Sequence, residues 1–81
     1  MQGTRLPDNT PLREIKSGEY SKNTWTGSIS WYIRDPLGGG GCLDNHNVVE
    51  NEDGTITVSP SILDDGPGGY HGFLEKGVWR T

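Results

Sequence analysis

The sequence predicts an all-β fold, a small antiparallel meander closing into a barrel or sandwich, and three observations lead to it. Glycines and prolines, 13 and 5 of the 81 residues, interrupt every stretch that could run as a helix of normal length. Ile29, Trp31 and Ile33 alternate with Ser28, Ser30, Tyr32 and Arg34, the period of two expected of a half-buried strand over residues 25–34. Asp53-Gly54 is a two-residue hairpin signal, because both residue types tolerate positive φ.

Taken in order, residues 1–11, broken by Pro7 and Pro11, read as an irregular lead-in. The short run Leu12-Arg13-Glu14-Ile15-Lys16, stopped by Gly18, reads as an edge strand in preference to a helical turn. Asp35-Pro36 ends the strand over 25–34, and Gly38-Gly39-Gly40-Gly41 then reads as a flexible loop. Its alternative use is to bring N–H groups to an anionic ligand or an oxyanion. A phosphate-binding loop is set aside, since no Gly-Lys-Ser/Thr follows.

Residues 42–59 read as a hairpin turning at Asp53-Gly54. That turn pairs Glu52 with Thr55, Asn51 with Ile56 and Val49 with Val58, so Val49, Ile56 and Val58 share a face. Continuing the ladder sets His46 opposite Ser61, although Pro60 has no N–H and ends regular pairing earlier. Residues 64–69 are a loop. Residues 70–74 and 78–81 make a last hairpin around Lys76-Gly77.

Size limits what this chain can bury. Eighty-one residues make one domain, which hides only about 60% of the surface its unfolded chain exposes. With 30% hydrophobic residues, the three Trp, three Tyr and Phe73 must supply much of the core. A core this thin predicts dependence on a protein partner or on a second copy of the chain, a homo-oligomer. Cys42 is the one cysteine, so no disulfide forms within the chain, and a reducing compartment is expected. No stretch approaches the roughly 18 apolar residues of a membrane span, nor is there a signal-peptide core. The expectation is a soluble protein of the cytoplasm, with no membrane association. The net charge of −4 gives no basic footprint for nucleic acid.

Chemistry concentrates in Ser59-Pro60-Ser61-Ile62-Leu63 and Tyr70-His71-Gly72-Phe73-Leu74. Ser61 is a weak nucleophile until a base takes its proton, and His71 or His46 could do so. Asp44, Asp64 and Asp65 are the nearby carboxylates able to orient such a base. Gly68-Gly69 or the four-glycine run could donate N–H groups to an oxyanion. The plainer reading makes Ser59 and Ser61 turn residues bonded to local backbone around Pro60.

A second set, Cys42, His46 and His71, has the thiol-plus-imidazole make-up of a zinc site, and zinc would help a small core. Against it stands the lack of any Cys-x-x-Cys pair, which leaves Cys42 as a buried apolar residue. Trp25, Trp31, Trp79, Tyr32 and Tyr70 read mostly as core, with Tyr32 the candidate for an exposed aromatic.

Ser59-Pro60-Ser61-Ile62, followed by His71-Gly72-Phe73-Leu74 and Gly77-Val78-Trp79, resembles a family of small uncharacterised bacterial and phage domains. Its members share a Pro-Ser-Ile segment, a Ser/Gly-His-aromatic segment and a terminal hairpin. The resemblance covers residues 42–81 well, and the Leu-Arg-Glu-Ile-Lys-Ser-Gly-Glu-Tyr opening at 12–20 is similar to short phage members. Bacterial members accompany ubiquitin-like conjugation operons and are regarded there as serine peptidases processing the ubiquitin-like protein. The resemblance therefore implies Ser61 as nucleophile, His71 as its base and His46 assisting. Longer members carry cysteines before the hairpin and ahead of the histidine; here Cys42 alone remains, which weakens the zinc reading. The ammonia monooxygenase label borne by some phage members finds no support in a chain lacking a membrane span and copper ligands.

The sequence thus predicts a phage-type intracellular Ser61/His71 hydrolase acting on a protein tail. Its competitors are a non-catalytic phage accessory or virion protein that binds a host or viral protein, and a zinc-stabilised interaction domain using Cys42, His46 and His71.

Overall fold

The structure is a computed structural model describing residues 1–25, 27–64 and 69–81. Among these residues eight strands form two four-stranded sheets. The first runs, in spatial order, β1 (Thr4–Arg5), β2 (Glu19–Asn23), β3 (Ser30–Arg34) and β4 (Gly40–Cys42). The second is β5 (Asn47–Glu50), β6 (Ile56–Leu63), β7 (His71–Glu75) and β8 (Val78–Arg80). Neighbours are antiparallel apart from β1 and β2, which are parallel. The all-β expectation holds, as two packed sheets rather than a closed barrel.

One hydrophobic cluster joins the sheets. Tyr20, Trp31, Ile33 and Leu43 from the first half meet Ile56, Val58, Ile62, Tyr70, Leu74 and Trp79 from the second. Fully burying a side chain of this size contributes about 1.5–3 kcal/mol. The Tyr70 and Trp79 rings meet edge to face at 5.6 Å, the orientation their quadrupoles favour. Trp79 also donates its indole N–H to the Gly18 carbonyl at 2.9 Å, a buried bond between the halves. Across the sheets Glu50 accepts from Arg5 at 2.7 Å and from Lys22 at 3.0 Å. The Arg5 bond, then the Lys22 bond, hold its carboxyl below the usual carboxylate range.

The N-terminal segment departs from the irregular lead-in expected. Gln2 bridges Val78, Gly3 N–H reaches the Gly77 carbonyl at 2.7 Å, and the chain then pairs with β2 as β1. Residues 1–5 therefore tie β8 of one sheet to β2 of the other. Next, residues 7–10 fold over Ser21, whose hydroxyl donates to the Pro7 carbonyl and accepts the Thr10 N–H. This cover buries Ser21 and Asn23 on the outward side of β2.

Leu12–Glu14 is a single turn of 3-10 helix, not the edge strand expected. The Arg34 guanidinium accounts for it, donating to the carbonyls of Leu12, Ile15 and Gly38 at 2.6–3.0 Å. β3 begins at Ser30, so Ile29 and Trp25 lie in the preceding connection, 63% and 67% exposed. Trp25 is therefore exposed, whereas Tyr32, the residue expected to be so, is half-buried. Phe73, expected in the core, points outward at 44% exposure.

The four glycines are not a flexible loop. Gly38 N–H bonds the Asp35 carbonyl, Gly39 N–H bonds Asp35 Oδ1, and Gly40 and Gly41 pair with Arg34 and Ile33. Asp35, 1% exposed, receives the Leu37 N–H as well. Its carboxylate thereby occupies the concave turn that could have served an external anion.

The hairpin at 42–59 exists, one residue out of the expected register. Val48 faces Val58 and Glu50 faces Ile56. Gly54, at φ 87°, is the third residue of a three-residue loop closed by Asn51 N–H to the Thr55 carbonyl. This is a type I turn followed by a glycine bulge. It carries Val48 inward and leaves Val49 58% exposed. The last hairpin turns at Lys76-Gly77, both at positive φ, as expected.

Candidate active site

β6 and β7 position the pair of side chains with nucleophile-and-base chemistry. Val58 faces Leu74 and Ile62 faces Gly72, so Ser59, Pro60 and Ser61 lie against Phe73 alone. Such a bulge bends a strand and re-aims its side chains. Ile62 returns to the core, which turns Ser61 and Leu63 to the opposite face. His71, paired with Leu63, shares that outward face.

Ser61 Oγ and His71 Nε2 stand 3.1 Å apart, within reach for proton transfer. Two anchors fix the start of β7. The Asp64 N–H donates to the Tyr70 carbonyl at 2.8 Å, and the Tyr70 hydroxyl donates to the Arg80 carbonyl at 3.2 Å. Burial, with a smaller contribution from Asp35, raises the Tyr70 pKa, so the phenol stays a donor at neutral pH. Gly72 is required beside it: a Cβ there would overlap the Arg80 carbonyl and the Tyr70 hydroxyl.

His46 takes a different place from the one expected. Its Nε2 lies 3.2 Å from the Ser61 carbonyl oxygen, so it holds the backbone of the nucleophile strand rather than its hydroxyl. Since a carbonyl only accepts, that contact puts the ring hydrogen on Nε2. Nδ1 is buried without a partner.

The expected orienting carboxylates lie elsewhere. Asp44 accepts from Ser30 Oγ at 3.1 Å and from Cys42 Sγ at 3.4 Å. The Asp64 carboxylate packs over Gly39, and Asp65 lies outside the described residues. Of the expected oxyanion donors, Gly38 and Gly39 spend their N–H groups on Asp35, and Gly68 is outside the described residues.

The zinc set does not assemble. Among the described residues no group of three or more His, Cys, Asp or Glu side chains is placed to hold a metal ion. Cys42 is exposed on β4 beside Asp44, not buried as expected, while His71 bonds Ser61 on β7. The two belong to different sheets.

Comparison of the chain with protein-family models, curated proteins and solved structures gave no match. Among the described residues no helix is long and apolar enough to cross a membrane.

Two features escaped the sequence reading. Leu63 and Phe73 are exposed on the face that carries Ser61 and His71. Their alternation with Ile62 and Leu74 was the available signal, once the bulge is known. The second is a pocket of about 250 Å³ at the seam between the sheets, walled by Trp31, Leu43 and Val48 and edged by Ile29, Asp44 and His46. Nothing local in the sequence marks it, because it forms where the connection from β4 to β5 crosses between sheets.

Proposed function

We propose that this protein is a serine-type hydrolase in which Ser61 attacks an acyl carbon and His71 accepts its proton. The single observation carrying this reading is the 3.1 Å separation of Ser61 Oγ and His71 Nε2. In the first step a bond forms from Oγ to the carbonyl carbon, and the hydroxyl proton passes to Nε2. The leaving amine or alcohol departs with that proton, and water then releases the acyl group from Ser61 by the reverse sequence. Exposure of His71 lets water reach the second step.

An extended protein tail is the substrate that suits this surface. β5 ends its pairing at Asn47 with Ser59, so beyond it the β6 edge carries no further strand, although His46 already holds the Ser61 carbonyl there. A second reading, a non-catalytic protein-binding face, is favoured by Leu63 and Phe73 flanking the pair at 61% and 44% exposure.

Labelling with a fluorophosphonate probe separates the two. The hydrolase reading requires labelled wild-type protein, with labelling lost in Ser61→Ala and sharply slowed in His71→Gln. Equal labelling of wild type and Ser61→Ala, or none in either, removes the hydrolase and leaves the binding face.

A further inference from the structure

We propose that the seam pocket binds the basic side chain, lysine or arginine, of an extended peptide. Its one charged group is an acceptor. Asp44 carries a negative charge, and its recorded donors, the Ser30 hydroxyl and the Cys42 thiol, are neutral. Among the described residues every salt bridge involves Asp8, Glu14 or Glu50, so Asp44 has no cation of its own. His46, on the same wall, spends its ring hydrogen on the Ser61 carbonyl and keeps Nδ1 as a buried acceptor without a donor.

Apolar side chains line the rest together with Ser30. Trp31, Leu43 and Val48 form the walls, with exposed Ile29 at the edge. An anion would meet the Asp44 charge. A purely apolar guest would desolvate Asp44 with nothing in return. An alkyl stem ending in an ammonium or guanidinium answers both surfaces. Arg5 and Lys22, the cations nearest the Trp31 ring, are each tied to Glu50, and neither lines the pocket.

The occupant is a peptide residue because Val48, one wall, belongs to β5, an edge strand of its sheet. Backbone paired along that edge would deliver a side chain beside Val48. The site does not depend on Ser61 chemistry.

The test is an amide-resolved NMR titration of the labelled protein with capped Ala-Lys-Ala and Ala-Arg-Ala peptides. Capped Ala-norleucine-Ala is the neutral control and cadaverine the free amine. The basic peptides should shift Leu43, Asp44, His46, Val48 and the Trp31 indole, leaving Ile56 and Leu74 in place. Loss of a charged hydrogen bond should weaken binding about tenfold or more, both for the norleucine peptide and for Asp44→Asn. Ser61→Ala should bind as wild type, so failure of the hydrolase reading would leave this site standing. The proposal is overturned by no shift at millimolar peptide, by shifts elsewhere, or by a norleucine peptide that binds equally well. It is equally overturned by full affinity in Asp44→Asn, or by cadaverine binding as tightly as the peptides.

Discussion

Ser61 and His71 meet diagonally across two strands on the face of the sheet turned away from the core, through a hydrogen bond that is exposed to solvent. An exposed neutral bond contributes little net stability, about 0.5–1.5 kcal/mol at most. Ser61→Ala and His71→Gln should therefore each leave the urea midpoint close to wild type while changing labelling by the fluorophosphonate probe. A large loss of stability in both, with unchanged labelling, would make the pair a structural tie.

Gly72 separates the histidine from the exposed phenylalanine, and its value lies in what sits above it. A methyl group there would run into the Arg80 carbonyl and the Tyr70 hydroxyl, both fixed by their mutual hydrogen bond. Gly72→Ala should cost about 1–3 kcal/mol by overpacking, measured as a lower denaturant midpoint. It should also disturb the Ser61–His71 contact, since His71 is its neighbour. A variant as stable as wild type would show that β7 can move away from β8 freely.

Much of this arrangement was legible in the sequence, for reasons that differ from element to element. The Lys76-Gly77 turn was readable because a two-residue loop leaves one register for its strands. Asp53-Gly54 located a turn, yet the glycine closes a three-residue loop, and Val48 rather than Val49 turns inward. The closeness of His46 to Ser61 survives this slip, with the ring meeting the Ser61 carbonyl rather than its hydroxyl. β2 was invisible: Ser21 and Asn23 are polar residues buried by a loop folded from residues 7–10, a tertiary effect that alternation does not encode. The seam pocket was equally hidden, since it is assembled from both sheets.

Trp79 and Gly18 join the two halves of the chain through a buried indole bond of 2.9 Å. Trp79→Phe removes the donor and leaves the Gly18 carbonyl without that partner. Since that carbonyl keeps the Thr4 N–H at 3.3 Å, the loss should be about 0.5–1.5 kcal/mol, added to the smaller ring's loss of contact with Tyr70. A thermal melt of the variant compared with wild type checks this. An unchanged melt would mean that water replaces the indole.

Glu50 gives the sheets a pH-dependent clamp. Its carboxyl titrates below its unfolded value because Arg5 and Lys22 donate to the charged form. A carboxylate depressed in the folded state binds fewer protons there than in the unfolded state. It therefore contributes stability that is fully present above the unfolded value, about 4.3, and is lost as pH falls through the folded one. Glu50→Gln should be less stable than wild type at neutral pH, and the two should converge as the solution is acidified below pH ~4. Added salt should narrow the neutral-pH difference, since the group is exposed and screened. Denaturant titrations at three pH values and two ionic strengths measure both effects. A gap that is constant across pH would show that the glutamate acts through packing alone, and would leave Trp79 and the apolar cluster as the holders of the two sheets.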